Sequence, residues 1–190
     1  MNSSITIGLG GLILGVLIGI VVAPTFLGPT GSNMMGPASM MGVSDGIDQH
    51  FIDQMIPHHE GAIEMAELAL EKSARPEILS LAQGIIDAQT REINDMTAWY
   101  QEWFNAAPSA AGHSMMRMEG MEGDLDELLA AADFDKEFLS QMIVHHEMAV
   151  MMAQMLAAGT ERSEMEQLAE NIITSQTQEI EMMRGWLSSW

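Results

Sequence analysis

The sequence predicts an all-α protein: an antiparallel four-helix bundle built from two duplicated helical hairpins, preceded by an N-terminal transmembrane or signal helix. Three observations carry that prediction. An ungapped internal repeat aligns Asp48–Trp103 with Asp135–Trp190 at a constant offset of 87 residues. Apolar positions in both copies recur at helical rather than strand spacing. Each copy also breaks near its middle, at Pro76 in the first and Gly159 in the second, so each reads as two helices.

About two dozen of the 56 aligned positions are identical. They include Phe51/Phe138, Met55/Met142, His58/His145, His59/His146, Met65/Met152 and Gln89/Gln176. They continue through Glu92/Glu179, Met96/Met183, Trp99/Trp186 and Trp103/Trp190. A match of that density without a gap marks a duplication.

The elements follow in chain order. Ile5–Val22 is an unbroken run of apolar residues and glycine, about 18 residues and close to the length that crosses a bilayer. No Lys or Arg precedes Lys72, and Pro24 follows the only suitable cleavage residue, Ala23. Residues 1–27 are therefore read as an uncleaved signal-anchor in preference to a cleaved signal peptide. Either reading puts the rest of the chain outside the cytoplasm, in the bacterial cell envelope. It is membrane-anchored there, or secreted or periplasmic if the signal is cut.

Residues 28–44, rich in Gly, Pro, Ser and Met, form a tether. The bundle occupies 45–190, with repeat 1 at 48–104 and repeat 2 at 135–190. Its first helix is expected over about Asp48–Glu71 and its second over Pro76–Phe104, where Pro76 suits a first turn. A Met-rich linker, 105–123, joins the repeats, and "LDELLAAA" after it suggests a short extra helix. In the second copy Gly159 is expected to stop one helix, and Ser163 with Glu166 to form a capping box on the next.

Composition narrows the function. The chain carries 27 acidic and 7 basic residues, a formal charge of −20. Phosphate binding needs clustered Lys and Arg, so nucleic acid is not a partner. The same balance disfavours an anionic membrane surface and suits cations. With no Cys and 20 Met, any soft-metal ligand must be Met or His. No nucleophilic triad, phosphate loop or zinc signature is present, so the expectation is a binding protein and not an enzyme.

On a helical wheel Phe51, Met55, Ala62, Ala66 and Ala69 share one stripe, with His59 inside it and His58 on its edge. The next helix buries Leu81, Ile85, Ile93, Trp99 and Trp103, and Gln89, Glu92 and Met96 fall near the middle of that stripe. A buried carboxylate is costly unless it is paired, hydrogen-bonded or on a metal. With the turn near Ala74, His59 lies level with Gln89, each about 22 Å along its helix, and Met55 lies level with Glu92. The second copy supplies Gln176, Glu179 and Met183 in the same places. The pattern admits either one shared polar layer or two separate ones.

The ordinary explanation of these residues is packing. Met is a common core filler, and His, Gln and Glu can form a hydrogen-bonded network without a metal. Against it, the His-His pair with Met at i−3 and i+7 recurs intact. Methionine also clusters where no core needs filling: Met34, Met35, Met40 and Met41, then Met115, Met116, Met118 and Met121 beside His113. Thioethers are soft donors that favour Cu(I) over Zn, Mg or Ca.

The pattern "DxxFxxxMxxHHxxAxxMA" followed by "QxxEIxxMxxW" resembles the bacterial domain-of-unknown-function 305 family, which includes CopM-type copper-binding proteins. The resemblance covers about Asp45–Trp190. It implies an exported, ferritin-like four-helix bundle with Met and His implicated in copper binding or resistance. Carried over by position, the motif falls on Met55, His58, His59 and Met65, and on Met142, His145, His146 and Met152. Val144 stands where the first copy has Pro57.

The function expected is therefore copper buffering, sequestration or delivery by an exported, membrane-tethered protein. His58, His59, His145 and His146 would be ligands, with Met55, Met65, Met142 and Met152 as soft partners. Gln89, Glu92, Met96, Gln176, Glu179 and Met183 would orient them or bind directly. His113 and the linker methionines would capture metal or pass it to copper-handling proteins. Cu(I) is the favoured state.

Two other readings compete. A ferritin-like redox enzyme would need four Glu and two Glu-x-x-His motifs inside the bundle. Only Glu92 and Glu179 face inward, and neither has a His three residues on. A metal-free interaction module would use the His-Gln-Glu set only to specify helix pairing.

Overall fold

The computed structural model describes residues 41–109 and 123–190, with side chains from residue 44 onward. Five helices and no strand make up these described residues: α1 Met41–Lys72, α2 Pro76–Phe104, α3 Leu125–Ala130, α4 Phe134–Ala157 and α5 Ser163–Ser189. The apolar run Ile5–Val22, Met34, Met35, Met40, His113, Met115, Met116, Met118 and Met121 lie outside the described residues. Among the described residues no helix is long and apolar enough to cross a membrane.

α2 takes the expected bounds. Pro76 occupies its first turn, and Asn105 closes it in the left-handed region at φ 51°, donating its N–H to Gln101 O. The "LDELLAAA" helix also forms, shortened to six residues. Its cap is Asp124, which accepts from Glu127 N at 2.9 Å.

Two local expectations are corrected. α1 begins at Met41, seven residues before Asp48, because its first turns dock on the α4–α5 turn. Ser44 Oγ accepts from Glu161 N at 3.1 Å, and Asp45 accepts from Arg162 at 2.6 Å. Ile47 lies over Gly159, where a Cβ would come 2.7 Å from Ile47 Cδ1. Gly159 thus serves close approach as well as helix termination. The capping box of Ser163 and Glu166 does not form. Ser163 is already helical and donates to Glu164 Oε2 at 3.1 Å. Arg162 takes the cap position in extended conformation, because its side chain is held across the hairpins.

α1 packs antiparallel to α2, and α4 to α5, as short turns require. α1 and α4 also pack against each other and run antiparallel. The start of α1 meets Arg162 beyond the end of α4, and Arg75 beyond the end of α1 meets Asp135 at the start of α4. α2 and α5 meet at their ends through two related clamps. Arg162 lies 4.3 Å over the Trp103 ring and pairs with Asp48 at 3.0 Å. Arg75, its counterpart in the repeat, lies 4.0 Å over Trp190 and pairs with Asp135 at 3.0 Å. Each tryptophan stacks on a second one, Trp99 or Trp186. Burial raises the Asp48 carboxyl above its ordinary range, opposed by Thr160 and Arg162.

The core has two apolar halves, each fed by all four long helices. One contains Met65, Ala66, Ile85, Phe138, Met142 and Met183. The other contains Phe51, Met55, Met96, Ala153, Met165 and Ile172. The repeat relates the halves: Phe51 and Phe138, Met55 and Met142, and Met96 and Met183 each divide one to either side.

Candidate metal centre

Polar side chains are buried at mid-height on the four long helices. His58, His59, Gln89, His145, His146 and Gln176 are all buried. α1 and α4 present the histidine pairs, because adjacent residues on a packed helix reach both the core axis and the facing hairpin partner. α2 and α5 supply the glutamines and glutamates.

His59 Nε2 meets Glu92 Oε2 at 2.6 Å, and His146 Nε2 meets Glu179 Oε2 at 2.7 Å. Simple levelling about the turn pairs His59 with Gln89 instead. The one-turn difference has a geometric cause. Side chains tilt toward their helix N-terminus, which is away from the turn on α1 and toward it on α2. His59 and Glu92 therefore lean toward each other. The carboxylates straddle the surface, with Glu92 and Glu179 at 19% and 24% exposure, while the imidazoles they hold are fully buried.

The two copies converge on one layer. The His58 and His145 rings lie 3.7 Å apart between centroids, across the α1–α4 contact. Neither nitrogen of His58 has a hydrogen-bond partner, and the His145 ring reaches only the His58 backbone. His59 Nδ1, His146 Nδ1, Gln89 Oε1 and Gln176 Oε1 are likewise buried and unpartnered. Buried polar atoms almost always find a partner, so orphans in one layer call for water or an ion. The donor set, imidazole nitrogen and amide oxygen beside carboxylate, suits a transition metal. Among the described residues, no three His, Asp or Glu side chains are already gathered as a ligand set. Binding would thus require the closely apposed, tilted His58 and His145 rings to part.

The methionines take different places. Met55 and Met142 are fully buried one turn from the histidines, in opposite apolar halves. Met96 and Met183 are also buried, one turn beyond Glu92 and Glu179. Met65 is fully buried against Gly123, which has φ +78° and whose Cβ would collide with Met65 Sδ. Met152 is only half-buried.

Burial pushes the His58 imidazole down to about 3, with repulsion from His59 and His146 adding to it. Burial and the neighbouring histidines also push His145 well below its ordinary value. The fold therefore holds both rings neutral, while the unfolded chain takes up protons near pH 6.5. Their stabilising contribution is complete above that value and is lost as pH falls below it, for His58 down to about 3. For His58 the loss should run at roughly 1 kcal/mol per pH unit within that window. Urea denaturation of metal-free protein between pH 7.5 and 4.5 checks this, and constant stability would contradict it.

Sequence reasoning missed Arg75 and Arg162. A signal was present: they recur at the repeat offset among only 7 basic residues, as do the Trp residues they cover.

The family described as Domain of unknown function (DUF305) matches residues 48–187. The chain is similar to CopM in its Cu(II)-bound form, with 49% identity, TM-score 0.72, and 75% of this chain and 97% of that chain covered. CopM structures in Cu(I)-bound and Ag-bound forms also match, each with TM-score 0.68. A DUF305 fragment from Deinococcus radiodurans matches at 30% identity and TM-score 0.63, covering 76% of this chain and 97% of that one. A putative secreted DUF305 protein from Streptomyces coelicolor matches at 26% identity and TM-score 0.66, covering 75% and 93%. An uncharacterised protein of Acanthamoeba polyphaga mimivirus is 42% identical over 55 residues, 29% of this chain. The match spans 36% of that relative's length.

Proposed function

From the premise that this chain belongs to the DUF305 family, we propose that it is a copper-binding protein whose bundle holds the ion in the buried histidine layer. The observation that carries the reading is the gathering of buried imidazole nitrogens that no side chain satisfies, both on His58 and His145 and Nδ1 on His59 and His146. The likeness to CopM, solved with Cu(I), Cu(II) and silver, supports copper over other metals.

His58 and His145 would be the primary ligands. Glu92 and Glu179 would orient His59 and His146 and, being partly exposed, would offer the entry path. Met55 and Met142, one turn away, tilt the preference toward Cu(I), because thioethers are soft donors. The protein would act as a carrier or buffer and not as a catalyst. Tethering through Ile5–Val22 would keep it at the outer face of a membrane. The linker cluster from His113 to Met121 would collect metal for the bundle.

Copper should stabilise the fold through linkage. At a hundredfold excess over Kd, unfolding should cost about 2.7 kcal/mol more. Denaturation of the full chain with Cu(II), with anaerobic Cu(I) and with Zn(II) measures this. Equal stabilisation by zinc would remove the copper preference, and no stabilisation by any of them would favour the metal-free module.

A further inference from the structure

The outer face of α4 carries four methionines in eight residues, Met148, Met151, Met152 and Met155. Their spacing is i, i+3, i+4 and i+7, which places them on an arc of about 100°. Met151 and Met155 are 52% and 69% exposed, and Met148 and Met152 are half-buried. Core packing accounts in part for Met152, which lies against the apolar half that holds Phe51 and Met55, but not for the exposed Met151 and Met155.

The repeat supplies the control. At the equivalent positions the first copy has Gly61, Glu64, Met65 and Leu68, and its one methionine is fully buried. The copies agree at the histidine layer and differ on this face. The same exchange occurs on α5, where exposed Met182 stands for Asp95. The thioether adds a soft donor that leucine lacks. Neighbours at i+3 and i+4 have Cβ atoms about 5–6 Å apart, within reach of two flexible Met side chains closing on one ion. The charge of −20 draws cations to the surface.

We propose that this face of α4 is a second metal site, separate from the buried layer, that binds a soft monovalent cation of the Cu(I) or Ag(I) class through Met148, Met151, Met152 and Met155. Copper as its natural ion rests on the functional reading above; the site itself stands on the exposed thioethers. The copies have thus specialised. Both contribute to the internal imidazole layer, and only the second presents an external thioether face.

The test uses full-length protein labelled with 13C at the methionine methyls, with Ag(I) as a soft, redox-inert probe. The four methyl signals should shift together and saturate. The M148L/M151L/M155L variant, conservative at exposed and half-buried helix positions, should bind Ag(I) at this face at least about tenfold more weakly. Its circular dichroism and Cu(II) binding should match wild type. Silver shifts confined to other methionines, or undiminished Ag(I) binding by the variant, would overturn the proposal while leaving the histidine layer standing. Silver binding on α4 in a protein whose interior binds neither Cu(I) nor Cu(II) would support the thioether site and remove the layer instead.

Discussion

Replacing Arg162 with alanine is expected to destabilise the bundle by about 2–4 kcal/mol. The guanidinium pairs with Asp48, a side chain at 0% exposure, and covers the Trp103 ring. Removing it leaves a buried carboxylate with no cation and strips the aromatic face. It also frees the turn on which the first residues of α1 dock, since Arg162 also holds Asp45. Arg75→Ala removes the corresponding clamp, but Asp135 is 17% exposed and water compensates it in part. That variant should lose only about 1 kcal/mol. Urea denaturation of both variants at pH 7 checks the ordering, and equal losses would contradict it.

The second large effect is expected at the layer. His58→Leu combined with His145→Leu removes four buried imidazole nitrogens that no side chain satisfies from the α1–α4 contact. Metal-free protein should become more stable by about 1–4 kcal/mol, as when buried polar groups give way to apolar ones of similar volume. Its stability should also lose the steep fall below pH 6.5, because the two groups kept neutral by burial are gone. Copper should no longer stabilise it. A site that weakens the empty fold and is retained is the usual exchange of stability for function. Denaturation curves at pH 7.5 and 5, with and without copper, read all three effects. A double variant less stable than wild type in the absence of metal would contradict the account.

Much of this was legible in the chain. The duplication, the α2 bounds and the inward placement of His59 and Gln89 follow from an ungapped repeat and a helical wheel, whereas Glu92, expected in the buried stripe, straddles the surface. Both depend on local periodicity, which the sequence carries directly. The early start of α1 was not legible, since Ser44, Asp45 and Ile47 are held by residues more than a hundred positions away. Nor was the meeting of His58 with His145, which depends on how two hairpins cross. The His59–Glu92 register needed side-chain tilt as well as residue counting. The clamps stayed hidden because an arginine in a helical turn looks like any solvated charge.

The central claim is that copper sits in the histidine layer. Its most direct test is Cu(II) loading of the full chain, gel filtration, and electron paramagnetic resonance of the retained metal. Wild type should keep copper with splitting from imidazole nitrogen. The protein with both His58→Leu and His145→Leu should keep none in that form. A variant that retains the same copper with the same nitrogen signal would contradict the claim.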